Sequence, residues 1–270
     1  MKSINKRENT TAIKSRFAPI DKIKVSILYP VCAFLFWTLV WFILYRAIDM
    51  SFLLPSPFRV FARCFSLLSE SDFYMTVVMS VTRVIVGFVS GVLIGVLLAF
   101  LMSITQVAYA LISPLLTVIK STPVASFIIL LWVFMPSGAL PGIVGALIVI
   151  PVIAQNVYEG ICGIDKKLTE VAKIYDLTVM KKLTYIYVPS VYPYFTSAAL
   201  TSVGMAWKAG VAAEVLAYVK YSLGKEIYLA KSNLETTDLF AYTLIVIILS
   251  LIIEKMIKHF IRKANAKYAE

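Results

Sequence analysis

The stretch DKKLTEVAKIYDLTVMKKLTYIYVP, Asp165 to Pro189, is a polar, basic segment set between two apolar runs, Ile143 to Ile164 and Val191 to Trp207. It is too long for a tight turn, and its pattern reads as helix, turn, helix. Leu168 to Tyr175 is expected to form a first short helix, and Asp176 to be a turn residue that tolerates the left-handed conformation. Val179 to Val188 is expected as a second helix stopped by Pro189. What kind of protein carries this loop depends on the apolar runs around it.

The chain has 270 residues, of which 60% are hydrophobic and 15% charged, against roughly 45–50% and 25% in soluble domains. The apolar residues come in runs long enough to cross a hydrocarbon core of about 30 Å, which takes about 20 residues of helix. Besides the two flanking runs these are Val25 to Ile48, Phe73 to Met102, Val107 to Phe134 and Leu239 to Ile253; the Val191 run extends to about Tyr218. The expected fold is therefore an all-α membrane protein with six spans, over residues 25–260, the last completed by Glu254 and Lys255 at the interface.

Lys and Arg mark the cytoplasmic side. Met1 to Lys24 holds seven, the 165–188 loop five and Lys255 to Glu270 five; the two opposite-side loops, 46–72 and 208–238, share seven. Six spans put the three basic segments on one side, so both termini are expected in the cytoplasm, the first as a polar leader disordered to about Ile20 and the last, 261–270, as a tail. The net charge of +11 follows this topology and forms no single stripe of the kind that binds nucleic acid. No cleavable signal peptide is expected, because the first apolar run follows a 24-residue polar leader. Cys32, Cys64 and Cys162 lack paired or metal-ligand spacing and are expected to be packing residues.

Several residues stand out along the spans. Leu54-Pro55-Ser56-Pro57 breaks the chain, and Phe58 to Leu68 then alternates apolar residues with Arg59 and Arg63, as in an amphipathic helix lying on the outer surface. Gly87, Gly91 and Gly95 recur every four residues on one helix face, a packing signature. Arg83 lies just before them, reaching either the outer interface or a polar pathway. Lys120-Ser121-Thr122-Pro123 interrupts the third run; Pro123 must kink or break the helix there, and irregular backbone at that depth is tolerated only against protein or a water-filled cavity. Lys120, Ser121, Thr122 and Pro123 are therefore pathway candidates, as are Trp207, Lys208 and Glu214. Lys208 and Glu214, six apart, do not share a helix face, so each is expected either to reach another helix or to line the pathway.

The loop also carries a resemblance. Glu170-Val171-Ala172, three residues, Asp176, nine residues, Ile186, Tyr187 and Val188-Pro189 match in every spacing the cytoplasmic loop of bacterial ABC import permeases, which reads Glu-Ala-Ala, three, Gly, nine, Ile, one, Leu-Pro. Val171, Asp176 and Val188 stand where that pattern has Ala, Gly and Leu. The resemblance continues in Leu54-Pro55-Ser56-Pro57, in Ala206-Trp207-Lys208 with Val211-Ala212-Ala213-Glu214, and in Ser222-Leu223-Gly224. It is nearest to the branch of binding-protein-dependent importers that includes those for nitrate, sulfonates and taurine.

The resemblance implies a type I ABC importer permease fold. It implies that the loop docks into a groove on a separate cytoplasmic ATPase through Glu170, Ala172, Asp176, Leu177, Leu183, Ile186, Tyr187 and Pro189. It implies a second permease subunit, most simply another copy of this chain, and an extracytoplasmic substrate-binding protein. The chain itself is expected to be a transport subunit with no catalytic or metal-ligating set and no cofactor, ATP and Mg being bound by the partner. Its only phosphate-loop candidate, Gly224-Lys225-Glu226, lacks the earlier Gly, at Val219, and the hydroxyl residue after the lysine. The cationic residues suit a small anion such as a sulfonate, taurine or nitrate; Trp132 and Trp207 would suit a vitamin-related heterocycle. The rival class, an ion-coupled secondary transporter, would be expected to show two related halves, and no internal repeat is visible.

Overall fold

The computed structural model describes residues 22–266. The leader expected up to Lys24 thus lies outside the described residues except for its last three, as do the last four residues of the expected tail. Residues up to Val60 and from Phe61 onward form two units. The first holds α1 (Lys22–Ile48), which ends where Asp49, at φ 48°, donates its N–H to the Tyr45 carbonyl.

Helix α2 (Pro57–Leu67) crosses from the first unit into the second. The second continues with α3 (Ser71–Ile104), α4 (Gln106–Ser121), α5 (Val124–Phe134), α6 (Leu140–Cys162), α7 (Lys166–Ile174), α8 (Val179–Lys182), α9 (Val188–Leu216), α10 (Leu223–Ser232) and α11 (Thr236–Ala266). In α2, Arg63 donates from Nε and Nη2 to the two carboxylate oxygens of Asp238 at 2.9 and 2.8 Å, and from Nη1 to Glu70 at 2.8 Å. This two-pronged fit, the geometry in which guanidinium binds carboxylate best, clamps the second half of α2 to the start of α11. The hydrogen bonds to Asp238 raise the Arg63 pKa further, so the clamp carries its charge at any ordinary pH.

The glycine stripe sets the packing. A Cβ on Gly87 would collide with the backbone of Gly142; on Gly91 it would lie 2.8 Å from Val149 Cβ, and on Gly95 2.8 Å from Ile153 Cβ. Contacts that advance together along both helices mean that α3 and α6 run parallel. Gly145 faces Ala206 and Gly160 faces Tyr194, so α9 runs antiparallel to α6. Helix α6 lies innermost, with 61% of its span buried against 28% for α3 and 17% for α11.

Among the described residues, four helices are long and apolar enough to cross a membrane, covering Tyr29–Ile48, Ser71–Ile104, Leu140–Cys162 and Thr236–Lys263, and the bent pair of α4 and α5 makes a fifth if it counts as one span. Helix α9 is long enough, at 29 residues, but Lys208 and Glu214, with its Tyr, Pro, Ser and Thr residues, keep it out of that set, so apolarity alone does not reach six. The physical reason is its position: twelve of its residues are buried against other helices, and a helix surrounded by protein needs less lipid-compatible surface. The last helix runs on to Ala266, through six residues of the expected tail.

Because the α3–α6 contact is backbone on backbone, Gly91→Leu is expected to lower stability by at least about 1–3 kcal/mol, the usual cost of overpacking. Gly138→Ala, where nothing lies within 4 Å, serves as the neutral control. Fluorescence-detected thermal unfolding of the purified full chain in detergent reads both.

Candidate functional site: the loop, the helix break and a buried carboxyl

The Asp165 to Pro189 loop folds as a capped helix, a left-handed corner and a second short helix. Asp165 caps α7 by accepting the Lys167 N–H at 2.9 Å. At the other end, the Leu177 N–H reaches the Ala172 carbonyl at 3.0 Å and the Asp176 N–H the Lys173 carbonyl at 3.1 Å, with Asp176 at φ 44°. This six-to-one and five-to-two pairing around a left-handed residue is the Schellman arrangement. It explains why the motif asks for Gly at this place, and Asp is one of the few other residues that enter this region.

Beyond the corner the structure departs from the expected second helix. Helix α8 ends at Lys182, a single π-helical turn follows over Leu183–Tyr187, and α9 begins at Val188. Pro189 therefore sits in the first turn of α9 and does not terminate the preceding helix. A first-turn proline has no N–H to lose there, and the wide π turn carries the chain into it.

The motif residues divide by role. Ala172 and Ile186 are buried, which makes them the loop's own packing; Glu170, Asp176, Leu183, Tyr187 and Pro189 are exposed and Leu177 is half-buried. The structure adds residues that the sequence reading did not single out: Ile174, Tyr175, Val179, Met180 and Tyr185 are each more than 70% exposed. Large apolar side chains presented together at the end of a membrane bundle, among Lys166, Lys167, Lys173 and Lys181, form the kind of patch that marks an interaction site. Their signal was present in the sequence as apolar residues inside a charged loop, but which of them face outward depends on the corner at Asp176.

The break at Pro123 is sharper than a kink. Proline forces the residue before it out of the helical region, and Thr122 is extended, at φ −79° and ψ 129°. Helix α5 starts again at an angle of 104° to α4, with the Pro123 carbonyl accepting the Ser126 and Phe127 N–H groups. Beside the break lies a cavity of about 250 Å³, lined by Lys120, Thr122, Phe127, Pro151 and Met205 among others. Lys120 Nζ donates to Gln155 Oε1 of α6 at 2.7 Å, and both residues are exposed. On α9, Ser197, Thr201, Met205 and Lys208 are exposed along one face while their neighbours are buried. Lys120, Ser121, Thr122, Pro123 and Lys208 thus lie at the break or on exposed faces.

Two other pathway candidates are placed elsewhere. Trp207 is buried and donates its indole N–H to the Val246 carbonyl at 3.1 Å, joining α9 to α11. Glu214 is fully buried: its Oε2 accepts from Ser80 Oγ at 2.8 Å and from the Gly224 N–H at 3.2 Å, while Arg83 Nη1 stands 3.8 Å from Oε1. Ser80 in turn accepts the Leu223 N–H at 2.9 Å, and Arg83 donates to the carbonyls of Tyr221 and Lys220 at 2.9 and 3.0 Å. A polar node therefore holds the turn before α10, where Tyr218 and Tyr221 take positive φ, against α3 and α9. Arg83 serves this node. Gly224 is required because a Cβ there would collide with Glu214; Ser80 and Gly224 have no local sequence signature for such a role.

Removing Ser80 Oγ leaves the buried Leu223 N–H without its acceptor and takes one of two donors from Glu214 Oε2, so Ser80→Ala is expected to cost about 1–3 kcal/mol, read as a lowered unfolding temperature. Asp176→Val is expected to destabilise the corner by about 1–2 kcal/mol while Asp176→Gly is tolerated, read as faster hydrogen exchange of the Leu177 amide in the Val variant alone.

The chain is similar to several known proteins. The formylaminopyrimidine transport permease protein of Halalkalibacterium halodurans is 26% identical over 181 residues, 66% of this chain and 72% of that one. The nitrate import permease protein of Synechococcus elongatus is 24% identical over 225 residues, 79% of this chain and 80% of that one. A chain of the crystal structure of an amino acid ABC transporter superposes with a TM-score of 0.58 at 17% identity, over 74% of this chain and 98% of that chain, which identifies the fold as that of ABC importer permeases. Residues 91–265, which carry the break, the loop and the buried carboxyl, match the family of binding-protein-dependent transport system inner membrane components. This chain belongs to that family: it is a multi-pass membrane transport subunit, and not an enzyme.

Proposed function

We propose that this chain forms half of the translocation pathway of an ATP-driven importer in a bacterial plasma membrane, with both termini in the cytoplasm. The observation that carries the reading is the apolar cap of the 165–189 loop. Ile174, Tyr175, Met180 and Tyr185 are largely exposed where a partner can cover them, as a short helix seated in a groove requires. The occupant is a cytoplasmic ATPase that binds ATP and Mg; this chain contributes no cofactor ligand. Residues 25–260 are the permease domain, and nucleotide-driven closure of two ATPases biases two permease copies between inward-open and outward-open arrangements.

The solute follows from the break. A helix interrupted at membrane depth, with a free helix start and a lysine beside it, suits a small anion such as nitrate or a sulfonate, delivered by an extracytoplasmic binding protein. Lys120 with Gln155, and Lys208 on the exposed face of α9, supply the donors. A second copy of this chain covers those faces and completes the path.

Co-expression of the full chain with the products of its neighbouring genes tests the docking. Ile174→Glu and Tyr175→Glu are expected to reduce recovery of a co-purifying ATPase by about 30-fold or more, the effect of losing a central anchor, with the unfolding temperature unchanged. Equal recovery of the ATPase with both variants would refute it. For the solute, uptake of nitrate, taurine and a neutral heterocycle is compared in cells carrying the wild type or Lys120→Gln. The anion reading expects nitrate or taurine uptake to fall by about tenfold, one desolvated charge-assisted hydrogen bond; uptake of the heterocycle alone would reject it.

A further inference from the structure

A second groove, of about 720 Å³, opens at the loop end of the bundle. Val96 and Phe100 of α3, Val157 and Ile161 of α6, and Val191 and Phe195 of α9 form its walls, and Lys182 lines it where α8 meets the π turn. Along α3 it runs from Val96 to Ser103, about 10 Å at 1.5 Å per residue, against about 15 Å for one leaflet of the hydrocarbon core. Tyr192, which also lines it, donates its hydroxyl to the Ile261 carbonyl at 3.1 Å. That bond brings the end of α11 beside the groove, and Lys258, Arg262 and Lys263 there are exposed.

From this geometry we infer that the groove is a binding site for one anionic phospholipid of the cytoplasmic leaflet, with an acyl chain between α3, α6 and α9 and the phosphate on Lys182. The inference rests on the topology proposed above. A slot that is apolar along its length and cationic at one end matches the amphiphile that surrounds it, and basic pockets between spans on this side bind anionic headgroups. A soluble solute would leave the walls unsatisfied. Because Leu183 and Tyr187 of the coupling motif also line the groove, the lipid supports the π turn from the membrane side, which leaves Ile174, Tyr175 and Met180 to face the ATPase.

Native mass spectrometry of the full chain, released from mixed micelles of detergent with phosphatidylglycerol and phosphatidylcholine, tests this without any ATPase. One phosphatidylglycerol per chain is expected to be retained preferentially. Lys182→Ala is expected to reduce that preference about fivefold, the worth of one cation near an anionic surface, and Val191→Trp to displace both lipids. Equal retention of the two lipids, or a preference unmoved by Lys182→Ala, overturns the site. Lipid held by the isolated chain but absent from its complex with an ATPase or a second copy would also overturn it, assigning the groove to protein. In a background with Cys32, Cys64 and Cys162 replaced by Ser, labelling of Thr178→Cys, in the loop and outside the groove lining, by a membrane-impermeant thiol reagent from the cytoplasmic side only separates a failure of the lipid site from a failure of the topology.

Discussion

The contact between Gly87 and Gly142 is the constraint from which the rest of the bundle follows. Gly87 is the seventeenth of the 34 residues of α3, whereas Gly142 is the third residue of α6. The two backbones touch there because neither position carries a side chain, so α6 begins beside the middle of α3, about 24 Å from its start at 1.5 Å per residue. The chain must therefore be delivered to half depth before α6 can begin. Helix α4, with 16 residues, covers about that distance on its way back from Thr105, and the break at Pro123 turns α5 aside by 104°. The glycine stripe and the broken helix, which read as separate features along the chain, are two parts of one geometrical solution.

Placing α6 at the centre has a second consequence. Helices around it bury one stripe and leave the other to lipid, while α9, packed on α6 along Gly145 and Gly160, can carry hydroxyls, a buried carboxyl and a lysine. Its polar groups are distributed by exposure. Trp207 and the Oε2 atom of Glu214 find hydrogen-bond partners inside the packing, and Glu214 Oε1 faces Arg83 at 3.8 Å. Ser197, Thr201 and Lys208 lie on the exposed face. A helix that would be a poor span by composition is thus the one suited to carry both a structural polar node and an exposed polar face.

At the loop end the chain handles a similar problem with local devices. Asp165 caps α7, Asp176 turns the corner in a left-handed conformation, and the π turn passes the chain into α9 with Pro189 already in a helical position. Each device satisfies backbone groups at a helix end that would otherwise be orphaned. The result holds large apolar side chains exposed at the loop end.

The sequence by itself determined what depends on composition, period and local stereochemistry. The length of the apolar runs established a membrane bundle, the four-residue glycine spacing a close helix contact, Pro123 the break, and the spacing from Glu170 to Pro189 the loop. Tertiary structure alone decided what depends on neighbours distant in the chain. It joined Glu214 to Ser80, 134 positions away, paired Gly87 with Gly142 and Lys120 with Gln155, and turned Trp207 inward. It also separated the loop residues that pack, Ala172 and Ile186, from those that are presented, Ile174 and Tyr175. The reason is that a helix period says which residues share a face, whereas only the packed bundle says what that face meets.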